Sequence, residues 1–331
     1  MTLPGSPPDT ALPPGTRLAR LARVDRSAYL VLTEGGPLRL PALPPPEVAT
    51  VGDWLAVRDD AVVRLLPRRS LVVRGAAGGS SRPQPLAANV DVVLVCASLA
   101  AALPVRRVER LLALAWDSGA VPVVVLTKAD LHPDPGAVAE ALAPHAPGAA
   151  VVMVSATTGD VGALAPYAAP GVTLVLLGAS GTGKSTVVNA LAGGAVMATG
   201  DVRDVDGKGR HTTTHRELVV PPSGAVVIDT PGLRGVALSG TEHGLCQAFS
   251  DVEELALACR FSDCGHAGEP GCAVQASIDA GDLSAQRMGS WRHLQRELAH
   301  QARRTDVRLR QQELTRWKQI HRERRARGGR P

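Results

Sequence analysis

The chain of 331 residues is 45% apolar and 20% charged, which excludes disorder throughout, and its length exceeds what one hydrophobic core organises, so two or three domains are expected. Its 36 Lys+Arg against 31 Asp+Glu give a net charge of only +5. That total hides two asymmetries: 32 of the 36 basic residues are arginine, and residues 292–330 hold 13 Lys+Arg against four acids.

The first residues, 1–14, read as a loose Pro-rich tail with neither a basic n-region nor an apolar h-region. Short β-type runs follow at 28–32, 38–40, 54–57 and 61–66, separated by turn signals at Gly35-Gly36, Pro44-Pro45-Pro46 and Asp59-Asp60. Strands this short in about sixty residues predict a small barrel over 15–76, with an OB-fold the commonest architecture of that size. The Gly/Ser-rich stretch 75–81 reads as a linker.

From residue 89 the texture changes. Apolar, β-branched runs at 92–96, 121–126, 150–154 and 172–177 predict strands buried on both faces, and helical stretches at 105–116, 137–142 and 161–165 lie between them. This alternation predicts an α/β domain with a parallel sheet over 86–238. The longest apolar stretch, 90–105, is broken by Asp91, Ser98 and Pro104 and does not span a bilayer. A cysteine-bearing, mainly helical domain is expected over 239–300, and a basic helical tail over 301–331.

Gly178-Ala179-Ser180-Gly181-Thr182-Gly183-Lys184-Ser185-Thr186 fits the phosphate-binding loop pattern between an apolar strand and a helix over 186–191. Its glycines let backbone N–H groups curl around a β-phosphate at a helix N-terminus, Lys184 bridges β- and γ-oxygens, and the Ser185 hydroxyl suits Mg²⁺. Thr127-Lys128-Ala129-Asp130 ends another buried strand. A carboxylate at Asp130 accepts hydrogen bonds from guanine N1 and N2, a pairing adenine does not offer. Lys128 would lay its stem along the base, and Ser155-Ala156-Thr157-Thr158-Gly159 resembles the loop that contacts the guanine carbonyl in GTPases.

Asp229-Thr230-Pro231-Gly232 closes the strand 225–228. Its carboxylate suits a water-mediated hold on Mg²⁺, and the Gly232 N–H suits the γ-phosphate. Upstream, 207–214 reads as a switch loop containing Lys208 and His211, with Thr213 and Thr214 the leading candidates for a hydroxyl that caps Mg²⁺. Lys184, Asp229, Gly232, Thr213 and Thr214 are therefore the candidate catalytic residues. The guanine motifs precede the phosphate loop, the reverse of an ordinary small GTPase, so the sheet reads as circularly permuted.

Cys259, Cys264, His266 and Cys272 offer three thiols and an imidazole in a turn-rich loop, a closed donor set suited to one structural Zn²⁺. Cys96 and Cys246 read as packing residues. Five cysteines without a disulfide framework predict a reducing, cytoplasmic compartment. Trp291, Leu294, Leu298, Leu314 and Trp317 recur at helical spacing as a packing face, and the arginines opposite match a phosphate-binding footprint. Aromatics at 2% favour RNA shape and backbone contacts over base stacking.

Together with Leu65-Leu66-Pro67-Arg68-Arg69-Ser70, Ala87-Ala88-Asn89-Val90-Asp91 and Gly209-Arg210-His211-Thr212-Thr213-Thr214, these motifs make the chain resemble the ribosome small subunit-dependent GTPase A family over residues 15–300. The resemblance implies an OB-fold barrel, a permuted P-loop GTPase domain and a zinc domain. It also implies GTP hydrolysis to GDP on the small ribosomal subunit late in assembly, contacts of barrel and zinc domain with 16S rRNA, Mg²⁺ with GTP, and no membrane partner; a monomer is expected. Thr127 stands where that family's guanine motif usually has asparagine, which predicts a looser loop. Leu233 stands where many GTPases have a water-orienting glutamine, which predicts slow intrinsic turnover; His211, His215 and His243 are candidate water-positioning groups. A GTP-gated RNA-binding factor, or one serving the large subunit, are the other readings.

Overall fold

The computed structural model describes residues 3–44, 48–75, 84–197, 217–230 and 242–305. Gly232, Thr213, Thr214, Lys208, His211, His215, Leu233, Leu314 and Trp317 lie outside the described residues, as do Pro45 and Pro46 of the first loop, the linker from residue 76 onward and the tail beyond 305.

Five strands build the front of the molecule: β1 (Arg17–Val24), β2 (Ala28–Thr33), β3 (Gly36–Pro41), β4 (Trp54–Arg58) and β5 (Ala61–Leu65). Their antiparallel order β3-β2-β1-β4-β5, with β3 lying beside β5, closes the small barrel the sequence predicts as an OB-fold. The strand missing from the pattern reading is β1, whose alternation is masked because four consecutive residues, Ala19 to Ala22 with Arg20 among them, are buried. A register shift between Leu21 and Arg23 bends β1, so one strand serves β4 at its start and β2 at its end. Leu3, in the segment expected to be a loose tail, packs against Trp54, Ala56 and Leu66, and Arg69 and Arg64 hold the carbonyls of Ser6 and Ala11 at 3.2 and 2.7 Å.

A hairpin, β6 (Leu71–Arg74) and β7 (Gln84–Ala88), leads into the central sheet. There β8 (Val92–Ser98), α1 (Val105–Asp117), β9 (Val121–Thr127), α2 (Pro135–Leu142), β10 (Ala150–Val154), β11 (Thr173–Leu177), α3 (Lys184–Ala192), β12 (Glu217–Val219) and β13 (Val226–Asp229) follow in turn. Lateral order is β10-β9-β8-β11-β13-β12, all parallel except β12. The predicted two-face burial holds for β8, β9 and β11, and β13, which lies outside that prediction, is buried throughout as well. It fails for β10, an edge strand whose Ala150 and Met153 are exposed. The helical stretch expected near 161–165 is a single 3₁₀ turn, Gly162–Leu164.

The chain ends its described part in α4 (Glu242–Ala248), α5 (Ser250–Leu257), α6 (Ala273–Ala280) and α7 (Ala285–Thr305). One apolar core runs from the sheet through α1 into Leu245, Phe249, Val274, Trp291 and Leu294. Gly244 permits this, because a Cβ there would sit 2.2 Å from the Ala113 carbonyl oxygen of α1. Trp291 and Leu294 are buried and Leu298 packs on the same core, as the predicted stripe requires. No helix among the described residues is long and apolar enough to cross a membrane.

Candidate functional site

The C-terminal ends of β9, β11 and β13 converge, and each carries one of the predicted motifs. At the end of β11 the chain turns through Gly178, where a Cβ would meet the Cys96 carbonyl oxygen at 2.7 Å. Gly181 and Gly183 then adopt φ of +79° and +80°, a region other residues rarely occupy. Gly183 is the N-cap of α3 and offers no side chain to its first turn, so the positive helix end containing Lys184, Ser185 and Thr186 is left for an anion. Lys184, 6% exposed, donates from Nζ to the carbonyl oxygens of Gly178 and Ala179 at 3.1 and 2.7 Å. The Thr182 hydroxyl also donates to Ala179, at 2.9 Å, while Ser180 is exposed at the loop tip.

The guanine limb is tied to this loop. Thr127, buried at the end of β9, donates its hydroxyl to the Thr182 carbonyl oxygen at 2.7 Å. The loosening expected from a threonine here is thus not what the structure shows: the short hydroxyl reaches the phosphate loop directly. Lys128 follows with φ +58°, which turns the chain sharply into the 3₁₀ turn Ala129–Leu131. The Asp130 N–H donates to the Ser155 hydroxyl at 3.0 Å, which ties the two guanine loops together, and Asp130 is exposed. Ser155 in turn closes its own loop by backbone bonds to Asp160 at 2.8 and 3.1 Å.

Asp229 ends β13 and is 3% exposed, with Oδ1 lacking a hydrogen-bond partner among the described residues. Its neighbour Thr230 is pinned by a 2.7 Å bond from its hydroxyl to the Leu176 carbonyl oxygen, which draws the ends of β11 and β13 together. Burial pushes the Asp229 carboxyl above its ordinary range, opposed by the nearby Lys184 charge. Burial equally lowers the Lys184 ammonium, with Cys96 and Asp229 opposing. A desolvated carboxylate with an orphaned oxygen facing a desolvated ammonium fits a cation and an anion arriving together. Cys96 lies beneath the site, wholly buried, its thiol pushed up to about 12 by burial, and so is packing, as expected. His243 lies on α4, whose Gly244 packs against Ala113 and Asp117 of α1.

The second site lies between α5 and α6. Single donor atoms from Cys259, Cys264, His266 and Cys272 all lie within 4.8 Å of one another. Nδ1 of His266 is 3.5 Å from Cys259 Sγ and 3.6 Å from Cys272 Sγ, and those two sulfurs are 4.0 Å apart. A tetrahedral ion with metal–sulfur bonds of ~2.3 Å needs sulfurs about 3.8 Å apart, so the donor set is of the right size for a metal ion. Local structure fixes each ligand. Cys272 is the N-cap of α6 and accepts from the Gln275 N–H at 3.3 Å, and Glu269 clamps the loop by accepting from Gly265 and Ala267. His266 holds φ +56°, its carbonyl accepts from Arg292, and the Trp291 ring stands edge-on to its imidazole at 5.8 Å. The supporting roles of Glu269 and Arg292 carry no local sequence signal; Trp291 is legible only as part of the helical stripe.

Comparison with known proteins agrees with this arrangement. The family model described as RsgA GTPase matches residues 65–239. The protein of Streptomyces avermitilis named small ribosomal subunit biogenesis GTPase RsgA is 49% identical over 316 residues, covering 92% of this chain and 85% of that protein. Proteins of the same name from Opitutus terrae and Xylella fastidiosa strain M23 are 48% and 43% identical, covering 84% and 92% of this chain and 80% and 97% of theirs. In fold, the chain is similar to YjeQ from Thermotoga maritima, with a TM-score of 0.63 at 23% identity over 86% of this chain and 99% of that one. It is also similar to YloQ, described as a circularly permuted GTPase, with a TM-score of 0.61 at 23% identity over 85% and 94%. The permuted order of the motifs, the joined guanine and phosphate loops and these identities lead to one assignment: the chain belongs to the RsgA GTPase family, whose members are GTP hydrolases.

Proposed function

We propose that this protein binds the small ribosomal subunit during its late maturation, hydrolyses GTP there to GDP and phosphate, and then leaves. The observation that carries the reading is the joining of the guanine motif to the phosphate loop through Thr127 and Thr182, and to the second guanine loop through Asp130 and Ser155. The names of the curated relatives, which specify biogenesis of the small subunit, support the choice of particle, and no observation favours the large subunit.

In this reading Asp130 accepts from guanine N1 and N2, Lys128 covers the base, and Ala129, Ser155 and Ala156 shape its rim. Residues 178–186 wrap the phosphates by their N–H groups, with Lys184 spanning β- and γ-oxygens. The Ser185 hydroxyl would ligate Mg²⁺ directly and Asp229 through water. Magnesium would neutralise charge developing on the phosphates; the chain's own part is to orient them and to hold a dry, fixed set of dipoles around them. Thr213, Thr214 and Gly232 complete the proposed set of residues around the γ-phosphate.

Zinc is the ion we assign to the Cys₃His cluster, as a closed structural site that fixes the loop between α5 and α6. The barrel and this loop are the proposed contacts with 16S rRNA, in a cytoplasmic monomer. Sedimentation of the protein with purified small subunits tests the reading. Co-migration with a non-hydrolysable GTP analogue, and release with GDP, is expected. Equal migration with both nucleotides, or none with either, would refute it.

A further inference from the structure

Among the described residues, two joins tie the barrel to the GTPase sheet. One lies at the N-terminal ends of the sheet strands, where the motifs around Arg68 and Asn89 act as a clamp. Asn89, fully buried at φ +53°, accepts from the Arg69 N–H and donates to the Gly52 carbonyl, both at 3.0 Å, and Arg68 pairs with the buried Asp53 at 2.7 Å. The other is the join of β1 to β12. Among the described residues their ladder holds a single register pair, Arg23 with Glu217, whose side chains also form an ion pair at 3.8 Å, while Ala22 and Leu218 belong to one apolar core.

Glu217 is directly opposite Asp229 in the β12–β13 ladder. One lateral row, Arg23–Glu217–Asp229, therefore runs from the barrel to the carboxylate beside Lys184. β12 is only three residues long, and in sequence Glu217 follows Thr214 by three positions. The row extends outward as well. Arg23 holds Asp25 at 3.2 Å, and Asp25 holds Arg39 at 3.0 Å, whose side chain is 66% exposed on the barrel surface.

We propose that Arg23 and Glu217 are positioning residues that transmit engagement of the barrel to Asp229, and so set the turnover reached on the small subunit. A phosphate of RNA pulling on Arg39 would load Asp25, then Arg23, then the short strand opposite the site. Such a strand, with one pair on one side and a ladder on the other, follows its neighbours as a unit. The inference rests on the function proposed above and adds the route by which the particle acts on the site.

The test is GTP hydrolysis by the full-length protein titrated with purified small subunits, for wild type, Glu217→Gln, Asp25→Asn and the conservative Arg23→Lys. Wild type must first be stimulated; if it is not, the functional reading itself fails. Glu217→Gln is expected to keep its subunit-free rate and its half-saturating subunit concentration within about twofold, while its stimulated plateau falls at least about fivefold, the lower end of ordinary coupling between sites. Arg23→Lys keeps a cation between Asp25 and Glu217 and should retain most of the plateau. Asp25→Asn breaks the row without touching β12 and should lose the plateau in the same way, which covers the case in which Glu217→Gln does not fold. An unchanged plateau in a folded single variant would overturn the proposal. So would a raised half-saturation at full plateau, which would make these residues mere subunit contacts, or an Arg23→Lys plateau as low as that of Glu217→Gln.

Discussion

Arg287 of α7 and Glu109 of α1 form an ion pair at 3.1 Å, with side chains 2% and 0% exposed. The guanidinium also grips Asp251, the carbonyls of Ala248 and His145, and lies over the Phe249 ring at 4.5 Å. Glu109 Oε1 is shared with His145 Nδ1 at 2.8 Å. One buried charge cluster thus joins the C-terminal helices to α1 and to the turn before β10.

Removing one partner should be costly, because it strands the other charge away from water. Arg287→Ala is expected to lower unfolding free energy by about 3–5 kcal/mol, whereas Arg287→Met with Glu109→Leu and Asp251→Asn, which removes both partner charges as well, should cost far less or stabilise. Urea denaturation of the two variants checks this. Equal losses would mean that the pair itself, rather than an orphaned charge, carries the stability.

Thr127→Ala removes the buried hydroxyl that joins guanine and phosphate loops and takes its donor from the half-buried Thr182 carbonyl. A lost hydrogen bond of this kind is worth about 1 kcal/mol, so GDP affinity should fall roughly fivefold, while Thr127→Ser should stay near wild type. Fluorescent-nucleotide titration gives the comparison.

This position also marks where sequence reading stops. The phosphate loop, guanine motif and Cys₃His set are legible because their chemistry dictates residue type at fixed spacing, and all fall on the expected turns. The effect of Thr127 is not legible, since it depends on the distance between two loops 55 residues apart in sequence. The same holds for β12, three residues that look like loop, and for Arg20, a buried arginine reaching from β1 to Thr173 at 3.2 Å and stacking on Trp54 at 4.5 Å. Periodicity reads β1 poorly because such a residue counts as polar wherever it sits.

Asp229 gives a pH prediction. Its carboxyl is neutral in both folded and unfolded chains below about pH 3.8, its ordinary value, and ionised in both once pH exceeds its raised folded value. In the nucleotide-free protein this group therefore removes stability as pH rises across that window. Asp229→Asn should raise the nucleotide-free Tm at pH 7 and leave it unchanged below pH ~3.5 relative to wild type, while abolishing the extra stabilisation by GTP with Mg²⁺. Calorimetry at both pH values, with and without nucleotide, decides it.

Cys272 serves the metal cluster and the start of α6 at once. Cys272→Ser retains a capping oxygen but loses a thiolate, so it should separate the two roles. Metal analysis is expected to find one zinc per wild-type chain and substantially less in the variant, with a lower Tm that added zinc does not restore. Full zinc retention would place the ligand set elsewhere.

The central claim is that the joined guanine and phosphate limbs form a GTPase site completed by the small ribosomal subunit. Steady-state GTP hydrolysis should be slow alone, rise steeply with purified small subunits, by up to the roughly 10³–10⁵-fold that completion in trans can bring, and stay slow with large subunits. Equal rates with and without small subunits, or equal stimulation by both particles, would contradict it.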